Sequence, residues 1–250
     1  MKPTVDKQIN RRELFEGGLL LGVAAFIAGC AGTRQGTLPD PVWPTNKPIR
    51  PATPVATTTR PAQPTDYYGL PSGVLPRSQW TNQGIIKGRL TDNGSDGKMG
   101  KVLRITIHHD AIDSSGVSTK GDAIHRLNQV RNGHVNRRNE PFADIGYHFI
   151  IDPAGRIWEG RSLTLQGAHV KGQNENNLGV MVMGHFDRQR PTAAAVQSLD
   201  QFVASQMHRY GIPLSRVKTH QEMAPTECPG RNLQRYMLAT RARGGNLARA

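Results

Sequence analysis

Imidazole and thiol side chains stand at positions in this sequence where they could bind a metal ion. An apolar stretch, residues 102–107, runs directly into His108 and His109. Far downstream, His220 and Cys228 are separated by seven residues in a loop whose prolines restrict the backbone. Two imidazoles and one thiolate would give zinc three protein ligands and leave a position for water. Zinc acidifies such a water, so the pattern indicates a hydrolase.

The adjacent histidines leave one ambiguity. Successive side chains of a strand point to opposite faces, so only one of His108 and His109 can face the metal. Nine histidines occur in the chain, and most are expected to be surface or core residues without a metal. The residues alone therefore do not identify the ligand.

Five sequence blocks resemble a single family, in the same order along roughly the last two-thirds of the chain. The blocks are Leu75 to Trp80, Ile107-His108-His109, Asp144 to Asp152, Gly167 to Gly172 and Pro225 to Gly230. They resemble the zinc-dependent N-acetylmuramoyl-L-alanine amidases of the type 2 amidase and peptidoglycan recognition protein superfamily. The resemblance implies an α/β fold, with a central mixed β-sheet flanked by helices and the zinc site in a groove at the sheet edge.

The resemblance also implies a ligand set. His108, His220 and Cys228 match the residues that bind one zinc ion per chain. His109 is then expected to face elsewhere, in a packing or hydrogen-bonding role.

Further roles are implied for residues around the metal. Tyr147 and Thr226 match catalytic positions, the first beside the zinc water and the second two residues before the metal cysteine. Phage-type relatives carry lysine at the second position, whereas a threonine hydroxyl brings no fixed charge. His169, Arg161 and Asn174 match positions that contact substrate.

The implied activity is hydrolysis of the amide bond between N-acetylmuramic acid and the L-alanine of the stem peptide. Expected partners are peptidoglycan or muropeptides, and the chain is expected to be a monomer. One alternative is a non-catalytic recognition module, which typically lacks the metal cysteine. A second is a zinc peptidase that cuts within the stem peptide.

The first 29 residues are predicted to be a signal peptide. Arg11-Arg12 in a polar segment resembles a twin-arginine export signal, and the apolar run 17–29 is too short for a permanent membrane span. Small residues before Cys30 resemble a bacterial lipobox, which implies lipidation of Cys30 and attachment to a membrane of the bacterial cell envelope. The alternative is an ordinary secretory peptide with an incidental cysteine.

The remaining chain is predicted to form a tether, one domain and a tail. Residues 30–71 are rich in proline and threonine and cannot bury a core. A zinc amidase domain is expected over 72–240, followed by a basic flexible tail over 241–250. A chain of 250 residues with 36% hydrophobic content supports one such domain.

Charge and cysteine content add two expectations. The net charge of +13 favours polyanions, and export argues for envelope polymers and against nucleic acid, for which the sequence has no binding signature. One of the two cysteines is assigned to lipid and the other to metal, so no disulfide is predicted.

The domain alternates strand and helix patterns. Helices are predicted from a start near Thr119 and from a cap at Thr192 to an end at Gly211. A turn at Asp152 to Gly155 is expected to form a hairpin. The predicted strands are Val102 to Ile107, Tyr147 to Asp152, Arg156 to Glu159, Leu178 to Met183 and Arg216 to Thr219.

Overall fold

A computed structural model describes residues 68–90 and 97–250. In these residues six strands form one sheet and three α-helices lie around it. The strands are β1 (Val74–Leu75), β2 (Arg104–His109), β3 (Phe149–Ile151), β4 (Ile157–Glu159), β5 (Asn177–Val182) and β6 (Val217–Thr219). The helices are α1 (Lys120–Val135), α2 (Ala193–Tyr210) and α3 (Arg231–Arg241). The predicted signal peptide, Cys30 and all but the last four residues of the predicted tether lie outside the described residues.

The sheet is mixed, in the order β1-β4-β3-β5-β2-β6. Only the β3–β4 pair is antiparallel among the pairings of these six strands. All six residues of β5 are buried, as expected for a central parallel strand covered on both faces. The predicted α/β fold with a central mixed sheet is confirmed.

Strand β2 ends later than predicted. Its pairing with β5 continues through His108, opposite Met181, and His109, opposite Val182. Both histidines therefore belong to the strand and do not merely follow it. The reason is that β5 also extends to Val182, which supplies backbone partners for these two residues.

The predicted start of α1 and both predicted ends of α2 are confirmed. Thr119 caps α1 through a reciprocal capping box with Asp122. The Thr192 side chain caps α2, which ends at Gly211 in the left-handed conformation. The apolar faces of both helices are buried on the sheet, with Leu127 and Leu199 fully buried. Within the described ranges no helix is long and apolar enough to cross a membrane.

The C-terminal segment corrects one prediction. Helix α3 was not expected, although Leu233, Tyr236 and Met237 form a buried stripe along it. Beyond it, the Asn246 amide donates a hydrogen bond to the Asp200 carboxylate (2.7 Å), and Leu247 is buried. The prediction of a flexible tail over 241–250 is therefore wrong for its central residues, because they close the core beside α2.

Candidate metal centre

Two parallel strands deliver two imidazoles to one end of the sheet. Ile107 of β2 lies opposite Thr219 of β6, so the next residues, His108 and His220, lie side by side. Their ring centroids are 4.7 Å apart. The Gln221 amide donates to the Cys228 carbonyl (2.8 Å), which folds the loop back and brings the thiol to the same place.

The three predicted ligands form one cluster. Ligand atoms of His108, His220 and Cys228 all lie within 4.8 Å of one another, and no other such group of three is present among the described residues. The Cys228 Sγ atom is 3.6 Å from His108 Nδ1. In a tetrahedral zinc site, bonds of about 2.3 Å to sulfur and about 2.0 Å to nitrogen separate these atoms by about 3.5 Å. The donor set fits zinc in type and spacing.

The protonation states also suit a cation. Burial lowers the pKa of His108 and of His220, so both imidazoles are neutral near pH 7 and keep a lone pair for a metal. Burial raises the pKa of the Cys228 thiol to about 12. A positive ion would favour its thiolate form. A free nucleophilic cysteine needs a lowered pKa, so without a positive ion this thiol is not activated as a nucleophile.

His109 lies on the opposite face of β2. Its imidazole stacks on Phe186, with ring centroids 6.0 Å apart, and its Nδ1 accepts from the Phe186 amide at 3.4 Å. Its own backbone amide donates to the Cys228 sulfur at 3.4 Å. The side chain of His109 is thus part of the packing, and its amide supports the cysteine.

Tyr147 lies next to the cluster. Its ring centroid is 5.1 Å from that of His108. Burial, reinforced by the nearby Cys228, raises the pKa of the phenol. The phenol therefore keeps its proton at neutral pH and can act as a hydrogen-bond donor.

Thr226 is placed in the cysteine loop. Its hydroxyl oxygen accepts a hydrogen bond from the Cys228 amide at 3.2 Å. The side chain therefore supports the backbone that carries the thiol. Its hydroxyl proton is still available to a second partner.

His169 and Asn174 belong to one loop, and both are engaged inside the protein. His169 Nδ1 lies 3.0 Å from His108 Nε2, and its other ring nitrogen lies 3.1 Å from the Asn177 carbonyl. The Asn174 side chain accepts from the backbone amides of His169 (2.7 Å) and Val170 (2.8 Å). Asn174 therefore shapes the loop that holds His169.

Arg161 does not reach a substrate surface in this structure. The residue is 2% exposed, and its guanidinium donates to the backbone carbonyls of Ile145 (2.9 Å), Gln166 (2.8 Å) and Asp144 (3.3 Å). The expectation that Arg161 binds a peptide carboxylate is wrong for this arrangement. The sequence could not show that this guanidinium donates to main-chain carbonyls, because every residue type has such a carbonyl.

A cavity beside Tyr147 was not predicted. It has a volume of about 510 Å³ and lies between the end of β2 and helix α1. Its lining includes Gln129, His134 and Arg137, and the ring centroid of His134 is 5.6 Å from that of Tyr147. The available signal was a group of polar residues at the end of the predicted helix: Gln129 and His134 lie in α1, and exposed Arg137 lies two residues after its last residue.

Comparison with known proteins identifies the family of this chain. A family profile described as N-acetylmuramoyl-L-alanine amidase matches residues 98–231, which is more than half of the chain, and the protein belongs to this family. The endolysin of Escherichia phage T7 is 32% identical over 132 residues, 51% of this chain and 84% of the endolysin. Peptidoglycan-recognition protein SC2 of Drosophila melanogaster is 30% identical over 128 residues, 51% of this chain and 67% of that protein.

Solved structures show the same fold. Peptidoglycan recognition protein-LE, in complex with tracheal cytotoxin, aligns with a TM-score of 0.59 and 26% identity over 72% of this chain and 99% of that one. Human PGRP-IBETAC, in complex with glycosamyl muramyl pentapeptide, aligns with a TM-score of 0.57 and 23% identity over 66% of this chain and 94% of that one. The fold is that of the peptidoglycan recognition proteins. Family and relatives together support an amidase-type hydrolase with a function related to peptidoglycan.

Proposed function

We propose that this protein is a zinc-dependent N-acetylmuramoyl-L-alanine amidase. The observation that carries the proposal is the convergence of His108, His220 and Cys228, with sulfur and nitrogen 3.6 Å apart. The thiol is the informative member, because a module that only recognised peptidoglycan would not need a third metal ligand at this point. The reaction is hydrolysis of the amide bond between the lactyl group of N-acetylmuramic acid and the L-alanine of the stem peptide.

Bound zinc would supply an acidified water and a positive charge next to the scissile carbonyl. The protein's own contribution is to hold the three ligands and to place Tyr147 beside them. The phenol can donate a hydrogen bond to the oxygen on which negative charge develops. Thr226 is proposed to contribute mainly by supporting the Cys228 loop, through the hydrogen bond to its amide.

The cavity along α1 is the proposed site for the substrate. It opens between Asp110, which follows β2, and exposed Arg137, and the ring of its lining residue His134 is 5.6 Å from that of Tyr147. Two structurally similar proteins are bound to tracheal cytotoxin and to a muramyl pentapeptide, which supports a muropeptide as the ligand class. Arg137 can offer its guanidinium to a carboxylate of the peptide, a role first expected for Arg161.

The cellular setting is part of the proposal. We infer that Cys30 is lipidated and that the protein is held at a membrane of the bacterial envelope as a monomer. The net charge of +13 supports attraction to anionic wall polymers.

The test is mass analysis of products after purified peptidoglycan is incubated with the full chain, with and without a zinc chelator. The amidase predicts release of intact stem peptides that begin with L-alanine, loss of release on chelation and recovery with added zinc. Shorter peptide fragments would instead indicate a zinc peptidase. Binding to peptidoglycan without release in the presence of zinc would indicate the recognition module.

A further inference from the structure

The imidazole of His169 has both nitrogens engaged. One nitrogen, Nε2, lies 3.1 Å from the Asn177 carbonyl oxygen. A carbonyl can only accept, so this nitrogen must carry the proton. A neutral imidazole carries a single ring proton, so with that proton on Nε2 the Nδ1 atom of His169 has a lone pair.

That lone pair decides the tautomer of His108. His169 Nδ1 lies 3.0 Å from His108 Nε2, and two lone pairs cannot form a hydrogen bond. His108 Nε2 must therefore carry a proton. With that proton on Nε2, a neutral His108 ring has its lone pair on Nδ1, and this is the atom that lies 3.6 Å from the Cys228 sulfur.

The His169 ring is clamped by two glycines. A Cβ atom at Gly167 would lie 2.5 Å from His169 Cδ2, and one at Gly179 would lie 2.6 Å from the same atom. Any larger residue at either position would displace the ring. Asn174 fixes the backbone of His169 in addition, so neither the ring nor the main chain is free to turn.

His148 lies beside the two glycines and is itself held in place by hydrogen bonds to the backbone. Its Nδ1 accepts from the Gly179 amide (3.0 Å), and its Nε2 donates to the Leu165 carbonyl (3.0 Å). A Cβ atom at Gly167 would also lie 2.9 Å from the His148 ring. Both imidazoles are therefore fixed by strand backbone.

We propose that His169 is a positioning residue that fixes the tautomer and ring orientation of the metal ligand His108, through a relay that ends at the Asn177 carbonyl. This inference rests on the proposed zinc centre. It replaces the expected contact of His169 with substrate, since both ring nitrogens are used within the protein. Partners of this kind typically change metal affinity about 10- to 100-fold.

The first arm of the test needs neither metal nor substrate. Nitrogen–proton correlation spectra of the metal-free full chain report which ring nitrogen of each histidine is protonated. The relay predicts the proton on Nε2 for both His108 and His169. A proton on His108 Nδ1 would overturn it.

The second arm measures zinc affinity by competition with a chromophoric chelator. His169→Phe should lower the affinity about 10- to 100-fold. In His169→Asn the amide oxygen can replace Nδ1 as acceptor, so affinity should stay within a few-fold of the wild type. His208→Phe, at an exposed position of α2, is the matched control and should change nothing. If His169→Phe does not fold, Gly179→Ala keeps the imidazole and displaces it, with the same expected direction.

Unchanged zinc affinity in His169→Phe, with a raised KM for a soluble muropeptide at saturating zinc, would overturn the proposal in favour of substrate contact. The outcome is separate from that of the proposed function. A wild-type protein that binds zinc and shows the predicted tautomers but hydrolyses nothing would refute the amidase and leave the relay intact.

Discussion

At the scale of single residues, the sequence shows which side chains could bind a metal ion. Their protonation states depend on burial and hydrogen bonding in the folded protein. His220 and Cys228 could be proposed from the sequence, because a histidine and a cysteine in one proline-flanked loop are unusual. The residue pattern alone could not decide between His108 and His109, since the choice depends on which face of β2 meets the loop; only the family resemblance selected His108. Asn177 was also missed, because its contribution is a backbone carbonyl that every residue type has.

Cys228→Ser should remove the metal. A hydroxyl is a poor zinc ligand compared with a thiolate, so zinc per chain, measured by elemental analysis, should fall from about one to near zero. Release of stem peptides should fall to the background rate. Cys30→Ser is the matched control and should keep both the zinc content and the release of stem peptides. Full activity in Cys228→Ser would contradict the zinc assignment.

Tyr147→Phe should separate catalysis from metal binding. Loss of one donor to a developing oxyanion typically costs about 100- to 1000-fold in kcat. Zinc content should not change, because the phenol is not a ligand. Tyr236→Phe removes a hydroxyl that donates to Asp200, neither residue being part of the cluster, and should lower stability with kcat unchanged. Equal kcat values for Tyr147→Phe and the wild type would remove Tyr147 from the mechanism.

At the scale of elements, local patterns determine where the helices begin and long-range pairing determines where the strands end. Thr119 and Thr192 could be identified as caps from the sequence, because capping is a contact between near neighbours. The end of β2 could not, since it depends on β5, which lies about seventy residues away in the chain. Helix α3 was missed because its apolar stripe is short and its other positions are strongly polar.

The capping box at the start of α1 should make a contribution to the free energy of unfolding that depends on pH. Hydrogen bonds from Thr119 lower the pKa of Asp122 to about 2. A carboxylate with a lowered pKa stabilises the fold above its ordinary value near 3.8 and loses this effect as the pH falls towards 2. Asp122→Asn should therefore lower Tm by a few degrees at pH 6, and by roughly half as much at pH 3. An equal loss at both pH values would show that the charge does not contribute.

At the scale of the whole domain, one buried carboxylate joins segments that are distant in sequence. Asp144 is fully buried and pairs with Arg77 (3.0 Å) before β2 and with Arg131 (2.8 Å) of α1. The backbone amide of Arg77 in turn donates a hydrogen bond to the Glu159 carboxylate of β4 (2.8 Å). The sequence predicted the layered fold well, because strand and helix periods are local. It could not predict this junction, since no local pattern indicates which acid meets which arginine.

Asp144→Asn should destabilise the domain strongly. It leaves two arginines without their shared counter-charge, and breaking a buried pair costs about 3–5 kcal/mol of unfolding free energy. Glu140→Gln is the control, because its pair with Lys171 is exposed and worth at most about 1 kcal/mol. Urea unfolding measures both. Similar midpoints for the two variants would contradict a structural role for Asp144.

The most direct measurement of the central claim is hydrolysis of purified peptidoglycan in heavy-oxygen water, followed by mass spectrometry of both product pools. Water that cleaves an amide leaves its oxygen on the carbonyl side. The amidase therefore predicts the label in the lactyl carboxylate of N-acetylmuramic acid and unlabelled stem peptides with a free L-alanine amine. Label at the carboxyl end of a peptide fragment, or no label in either pool, would contradict it.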